Sequence, residues 1–135
     1  MNQKILVPVV ILLVAGMIFY FNLGPSVPEG YVDFRAVEAQ EQLAQSKDVK
    51  ILDIRTPAEF QSGHLQGAVN VDYYAKDFED SLKKLDKNAQ YLVYCRTGNR
   101  SSSALKKMHK LGFTKVWHMS RGIEDWKGTG LPLKQ

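Results

Sequence analysis

Cysteine is nearly absent from this chain: of 135 residues, only Cys95 carries a thiol. No internal disulfide can form, so the fold must stand on packing. A free thiol then matters for its reactivity wherever reagents reach it. His64, His109 and His118 are scattered, and with one cysteine they offer no zinc-ligand spacing. No run of Lys and Arg is interleaved with aromatic residues, which argues against nucleic acid as a partner. Internal repeats and low-complexity tracts are also missing.

What is present is the composition of a globular protein. Apolar residues make up 44% and charged residues 24%. The length suits one domain with a real core. The net charge of +4 is unevenly spread. From Tyr91 onward nine Lys and Arg face only Glu124 and Asp125, a net +7, which leaves the first ninety residues at −3. The basic half also holds Cys95, which favours an anionic substrate or partner. A solvated basic helix around Lys106–Lys110 would account for the same asymmetry.

The N-terminus, MNQKILVPVVILLVAGMIFYFNLGPSVPEG, carries the one long apolar run, Ile5 to Leu23. At ~1.5 Å per residue a helix of this length crosses a bilayer. Gly24, Pro25 and Pro28 end it. No small-x-small cleavage site follows and no cysteine lies in the run, so an uncleaved anchor is preferred over a signal peptide. The expected organisation is a transmembrane anchor over 1–24, a linker over 25–30 and a catalytic-sized domain over 31–135. Lys4 and the terminal amine flank one side of the anchor, and Glu29 and Asp33 come first on the other. The positive-inside rule then places the domain outside the cytoplasm.

Along the domain, strands alternate with helices. Extended stretches are expected at 31–34, 49–54, 68–71, 91–94 and 115–119. Helices are expected at 35–45, from Thr56, at 76–85, at 101–111 and from Ile123. Thr56, Pro57 and Glu59 form a helix-start signature, a capping box with proline at the first position. Alternation of this kind predicts an α/β fold with a mostly parallel central sheet flanked by helices. Active crevices in such sheets lie at the carboxyl ends of the strands. Cys95 follows one strand end, Asp53 and Arg55 lie at another, and His118 and Ser120 at a third.

The stretch YCRTGNRSS then poses a choice. Gly98 permits backbone conformations other residues avoid, and the loop amides can converge on an anion. The following helix adds its positive end, and Arg96 and Arg100 add full charges. All of this favours a thiolate, which would make Cys95 a nucleophile at the base of an anion cradle. The alternative is a buried thiol that merely ends a strand. No adjacent histidine is available in sequence as a base.

The surrounding stretches resemble the rhodanese (sulfurtransferase) domain family. LDIRTPAEFQSGHLQGAVNV carries Asp53, Arg55, Glu59, Phe60, Gly63, His64, Leu65, Gly67 and Ala68 in the order of the family's first block. YCRTGNRS resembles its active-site loop, and MSRGIEDWKGTGLP resembles its Gly-Gly-x-x-x-Trp…Pro ending, with Arg121 in place of the first glycine. The resemblance covers about residues 31–133. It implies that Cys95 accepts a sulfane sulfur from a donor such as thiosulfate, becomes a persulfide, and passes the sulfur to cyanide or a thiol. Arg96, Thr97, Gly98, Asn99, Arg100 and Ser101 would line the sulfur and bind the donor. Neither a metal nor an organic cofactor is implied. Related phosphatases place arginine after five intervening residues; here four separate Cys95 from Arg100, and Ser101 fills the phosphatase arginine position. The shorter loop suits a sulfur and disfavours phosphoryl transfer.

Asp53 and Arg55 are expected to brace the crevice as a salt bridge. His64 reads as a framework residue, His109 as solvated, and His118 as a weak signal. Trp117 and Trp126 read as packing residues. A glycan on the sequon Asn99-Arg100-Ser101 would block the loop, which fits a bacterial envelope protein: an inner-membrane, single-pass chain with its domain facing the periplasm. A small anionic sulfur donor, a thiol or protein acceptor, and the membrane are the expected partners.

Overall fold

The computed structural model describes residues 28–135. The expected anchor over 1–24 and the first part of the linker lie outside those residues. Among the described residues no helix is long and apolar enough to cross a membrane.

Five strands, β1 (Tyr31–Phe34), β2 (Val49–Asp53), β3 (Ala68–Asn70), β4 (Gln90–Tyr94) and β5 (Val116–Met119), form one sheet in the order β1-β5-β4-β2-β3. All four pairings are parallel. Such pairing needs crossover connections, and four helices supply them: α1 (Ala36–Gln45), α2 (Pro57–Gln61), α3 (Phe78–Lys83) and α4 (Asn99–Lys110); α5 (Gly122–Gly128) follows β5.

Strand side chains alternate between the two faces of the sheet. In β4, Tyr91 and Val93 join Phe78, Leu82, Ala104, Leu105 and Met108 on the side of α3 and α4. Leu92 and Tyr94 join Ala36, Ala39, Ile123 and Trp126 on the side of α1 and α5. Both faces are covered, which is why β4 reads as an unbroken apolar run. Leu92 and Val93 are fully buried, and burial of such a side chain stabilises by roughly 1.5–3 kcal/mol.

Two helices differ from the sequence expectation. α4 starts at Asn99, two residues early, because Gly98 takes a left-handed φ of 103° and turns the chain straight into the helix. Arg100 and Ser101 therefore belong to its first turn, not to the loop. α3 starts at Phe78 because Asp77 has φ −97° and ψ 16°, outside the helical basin.

Candidate active site

Cys95 follows β4, the strand that lies between β5 and β2, at its carboxyl end. The thiol is 1% exposed. The two sequence alternatives thus meet in one residue: the sulfur is buried, and it is also held by polar donors. The Gly98 amide donates to Sγ at 3.1 Å, and Ser101 Oγ lies 3.3 Å from it. Burial pushes the thiol up. The Ser101 hydroxyl, then the amides of Ser101, Gly98 and Thr97, outweigh it and hold Cys95 below its ordinary value. α4 aids this from its N-terminus. Among the described residues, α4 alone lacks an acidic residue in its first turn; the other helices carry Glu38, Glu59, Glu79 and Asp80, or Glu124 and Asp125 there.

The β5–α5 turn clamps the cysteine loop. Ile123 N donates to Cys95 O at 2.9 Å, and Glu124 N donates to Arg96 O at 3.1 Å. A Cβ on Gly98 would meet Ser120 O at 1.9 Å, and one on Gly122 would meet Arg96 O at 2.3 Å. These close approaches fall on Gly98 and Gly122. Arg121, where the family pattern has glycine, is exposed and sits at an ordinary φ of −109°. The departure from the pattern therefore leaves the clamp intact.

The two loop arginines differ. Arg96 is exposed. Arg100 is 14% exposed and forks onto Glu59, with Nη1 donating to Oε2 and Nη2 to Oε1, both at 2.8 Å. The Arg100 hydrogen bond, followed by burial opposing it and by contacts from Thr56, leaves the Glu59 carboxyl at about 2. Arg100 is raised above its ordinary value, first by Glu59, and the Cys95 charge contributes too. Its charge therefore acts on the sulfur while its N–H fork faces Glu59. The sequence expectation had both arginines open to a donor. Asn99 is exposed at the start of α4, and Thr97 is exposed within the loop.

Asp53 and Arg55 stand one layer behind. Arg55 Nη2 donates to Asp53 Oδ2 at 2.7 Å and to Gly63 O at 2.7 Å. Tyr94 OH donates to Asp53 Oδ2 at 2.6 Å. The pair is fully buried and braces the turns after β2 and α2. His64 does similar work: its Nδ1 pairs with Phe60 O at 2.9 Å, and its backbone bridges to Lys134.

Asp33 gains a place that sequence reasoning did not assign, and His118, read there as a weak signal at a strand end, gains two partners. His118 Nε2 lies 2.7 Å from Ser101 Oγ, and its Nδ1 lies 2.8 Å from Asp33 Oδ1. The available signal was parity: Asp33, His118 and Cys95 share the face of Tyr31, Val116 and Val93.

A buried cysteine sulfur held by a loop amide and a serine hydroxyl at the carboxyl end of a parallel strand, with the Arg100 charge acting on it, defines a thiol-centred α/β domain. Residues 36–129 match the family described as Rhodanese-like domain, and the chain belongs to that family. It is 31% identical over 93 residues to a sulfurtransferase of Allochromatium vinosum, covering 69% of this chain and 85% of that protein. It is 31% identical over 98 residues to the thiosulfate sulfurtransferase GlpE of Pseudomonas entomophila, covering 72% and 88%. A rhodanese-related protein from Thermoplasma volcanium superposes with a TM-score of 0.67 at 28% identity, covering 77% of this chain and 98% of that one. The Allochromatium and Pseudomonas relatives are both named as sulfurtransferases.

Proposed function

We propose that this chain is a sulfurtransferase that takes a sulfane sulfur from a small anionic donor such as thiosulfate onto Cys95. The observation that carries this reading is the hydrogen-bonded sulfur at the base of the loop, with Gly98 N at 3.1 Å and Ser101 Oγ at 3.3 Å. The Cys95 thiolate attacks the sulfane sulfur of thiosulfate. A new S–S bond forms, the donor's S–S bond breaks, and sulfite leaves with the electron pair. The outer sulfur of the persulfide keeps a negative charge, which the loop amides and the start of α4 stabilise. Cyanide or a thiolate then attacks the outer sulfur, and Cys95 leaves as thiolate. Arg96, exposed and carrying full charge, attracts the sulfonate end of the donor, and Arg121 adds charge beside it.

The apolar run from Ile5 to Leu23, with Lys4 before it, supports a membrane-anchored form of this enzyme with its domain outside the cytoplasm.

The test mixes the full-length chain with thiosulfate and cyanide and measures thiocyanate and the intact mass. Native protein turns over and gains one sulfur on Cys95; Cys95→Ser does neither. A persulfide without thiocyanate would replace the enzyme by a sulfur-carrier or protein-binding module. Turnover in Cys95→Ser would refute the nucleophile.

A further inference from the structure

β1, β5 and β4 are neighbours in the sheet, and their register lines up three polar groups on one face. Asp33 pairs with His118, and His118 pairs with Val93. Cys95 is two residues beyond Val93 and so returns to the same face. Ser101, in the first turn of α4, comes down onto that face. The result is a continuous chain of contacts: Cys95 Sγ to Ser101 Oγ at 3.3 Å, Ser101 Oγ to His118 Nε2 at 2.7 Å, and His118 Nδ1 to Asp33 Oδ1 at 2.8 Å. Cys95, Ser101 and His118 are all buried, while Asp33 is 49% exposed. The chain thus runs from the buried sulfur to water.

We propose that Ser101, His118 and Asp33 form a proton relay that takes the thiol proton from Cys95 and returns it. This rests on Cys95 being the sulfur-carrying nucleophile. In the neutral form, His118 Nδ1–H donates to Asp33, Nε2 accepts the Ser101 O–H, and Ser101 Oγ accepts the Cys95 S–H. The 2.7 Å contact to His118 is shorter than the 3.1 Å alternative from Ser101 Oγ to Gly98 O. On ionisation the S–H proton passes to Ser101 Oγ while the Ser101 proton passes to His118 Nε2. Thiol plus imidazole become thiolate plus imidazolium, with no proton gained or lost. His118 Nε2–H then donates to Ser101 Oγ and Ser101 O–H to the sulfur, while Nδ1–H keeps donating to Asp33. Asp33 balances the imidazolium charge.

The electrostatic setting fits both ends. Burial pulls His118 below the usual imidazole value, which keeps the resting ring neutral with Nε2 open to accept, and the Asp33 carboxylate on Nδ1 opposes that burial and supports the ring when it takes the proton. The other charge acting on the sulfur is Arg100 of α4, itself held by Glu59 of α2. Arg96 in the loop is exposed, and Asp33 of β1 is the carboxylate on His118. Ser101 and His118 are positioning residues here: they act on substrate through the sulfur.

One substitution separates the relay from simple electrostatics. Replacing a carboxylate by a neutral amide near a thiol ordinarily makes the thiolate easier to form. If the thiolate forms by passing its proton to His118, loss of the carboxylate makes it harder. The test titrates the thiolate ultraviolet absorbance of the full-length chain, with Cys95→Ser as the blank; the single cysteine makes the signal unambiguous. Asp33→Asn sits at a half-exposed position and preserves the size of the side chain. Its thiolate midpoint should rise by about one pH unit, the scale of a nearby opposite charge. His118→Gln should also raise it, and Ser101→Thr, which keeps the hydroxyl, should restore native behaviour where Ser101→Ala does not. A midpoint in Asp33→Asn that falls or stays at the native value overturns the relay. The titration needs no sulfur donor. A raised midpoint without persulfide formation would keep the relay and remove the sulfurtransferase reading; persulfide formation with an unshifted midpoint would do the reverse.

Discussion

Glu59→Gln isolates one charge at the rim of the site. Gln keeps the shape of the side chain and an oxygen for the capping contacts with Thr56 N and Oγ, both at 3.0 Å. What it removes is the carboxylate charge facing Arg100 and one of the two acceptors of its fork. A fall from the ordinary 4.5 to about 2 corresponds to ~3 kcal/mol at 1.36 kcal/mol per pH unit. Glu59 is 28% exposed, and solvent screening reduces the expected loss to about 1–2 kcal/mol. Urea denaturation of the full-length chain at pH 7 should then show a midpoint lower by roughly 0.5–1 M. The pH dependence carries the sharper test. A depressed carboxyl contributes stability that is fully present above its unfolded value, ~4.3, and is lost as pH falls through its folded value. The gap between native and Glu59→Gln should stay constant from neutral pH to about pH 5 and close progressively toward pH 2. A gap that persists unchanged at low pH, or never exists at pH 7, refutes the assignment of this stability to the Glu59–Arg100 pair.

Gly98→Ala should disable the loop: its Cβ would lie 1.9 Å from Ser120 O at a φ of 103°, and thiocyanate formation should fall by about a hundredfold, the usual scale for losing an oriented amide. Native-like turnover would show that the loop absorbs the added Cβ without misplacing the amide at position 98. Asp53→Asn leaves the buried Arg55 guanidinium without its counter-charge and should cost about 3–5 kcal/mol in urea denaturation; a loss under about 1 kcal/mol would mean that Gly63 O and Tyr94 suffice. A reporter active only outside the cytoplasm, fused to the C-terminus, should be active. An inactive fusion in an intact, expressed chain would overturn the proposed orientation.

The parts of the fold that were legible in sequence are those with strong local periodicity. Tyr91–Tyr94 is a buried strand because both faces are covered, and Leu105 and Met108 mark the apolar side of α4. Thr56, Pro57 and Glu59 announced α2, whose capping contacts the structure shows. The Asp53–Arg55 pair was also anticipated. What was not legible depends on pairings between distant segments. Nothing local says that β5 lies between β1 and β4, yet that placement brings His118 between Asp33 and Ser101. Parity could have put Asp33, His118 and Cys95 on one face, but not next to each other. Glu59 was read as a cap and as part of the family's first block, with no partner beyond Thr56. Its second partner lies 41 residues away and appears only when the turn after β2 is set beside the start of α4. The early start of α4 follows from the left-handed Gly98, a backbone choice that glycine permits without dictating.

The missing acid in the first turn of α4 has a consequence for the whole cycle. A helix start with several unsatisfied amides prefers a negative neighbour by roughly 0.3–1 kcal/mol, and here the cysteine sulfur occupies that role. On the proposed mechanism, the empty thiolate and the loaded persulfide carry the same single charge at nearly the same place. Gaining or losing a sulfur atom therefore leaves the helix equally well compensated. The charge balance at the start of α4 would then demand no conformational step between the proposed half-reactions.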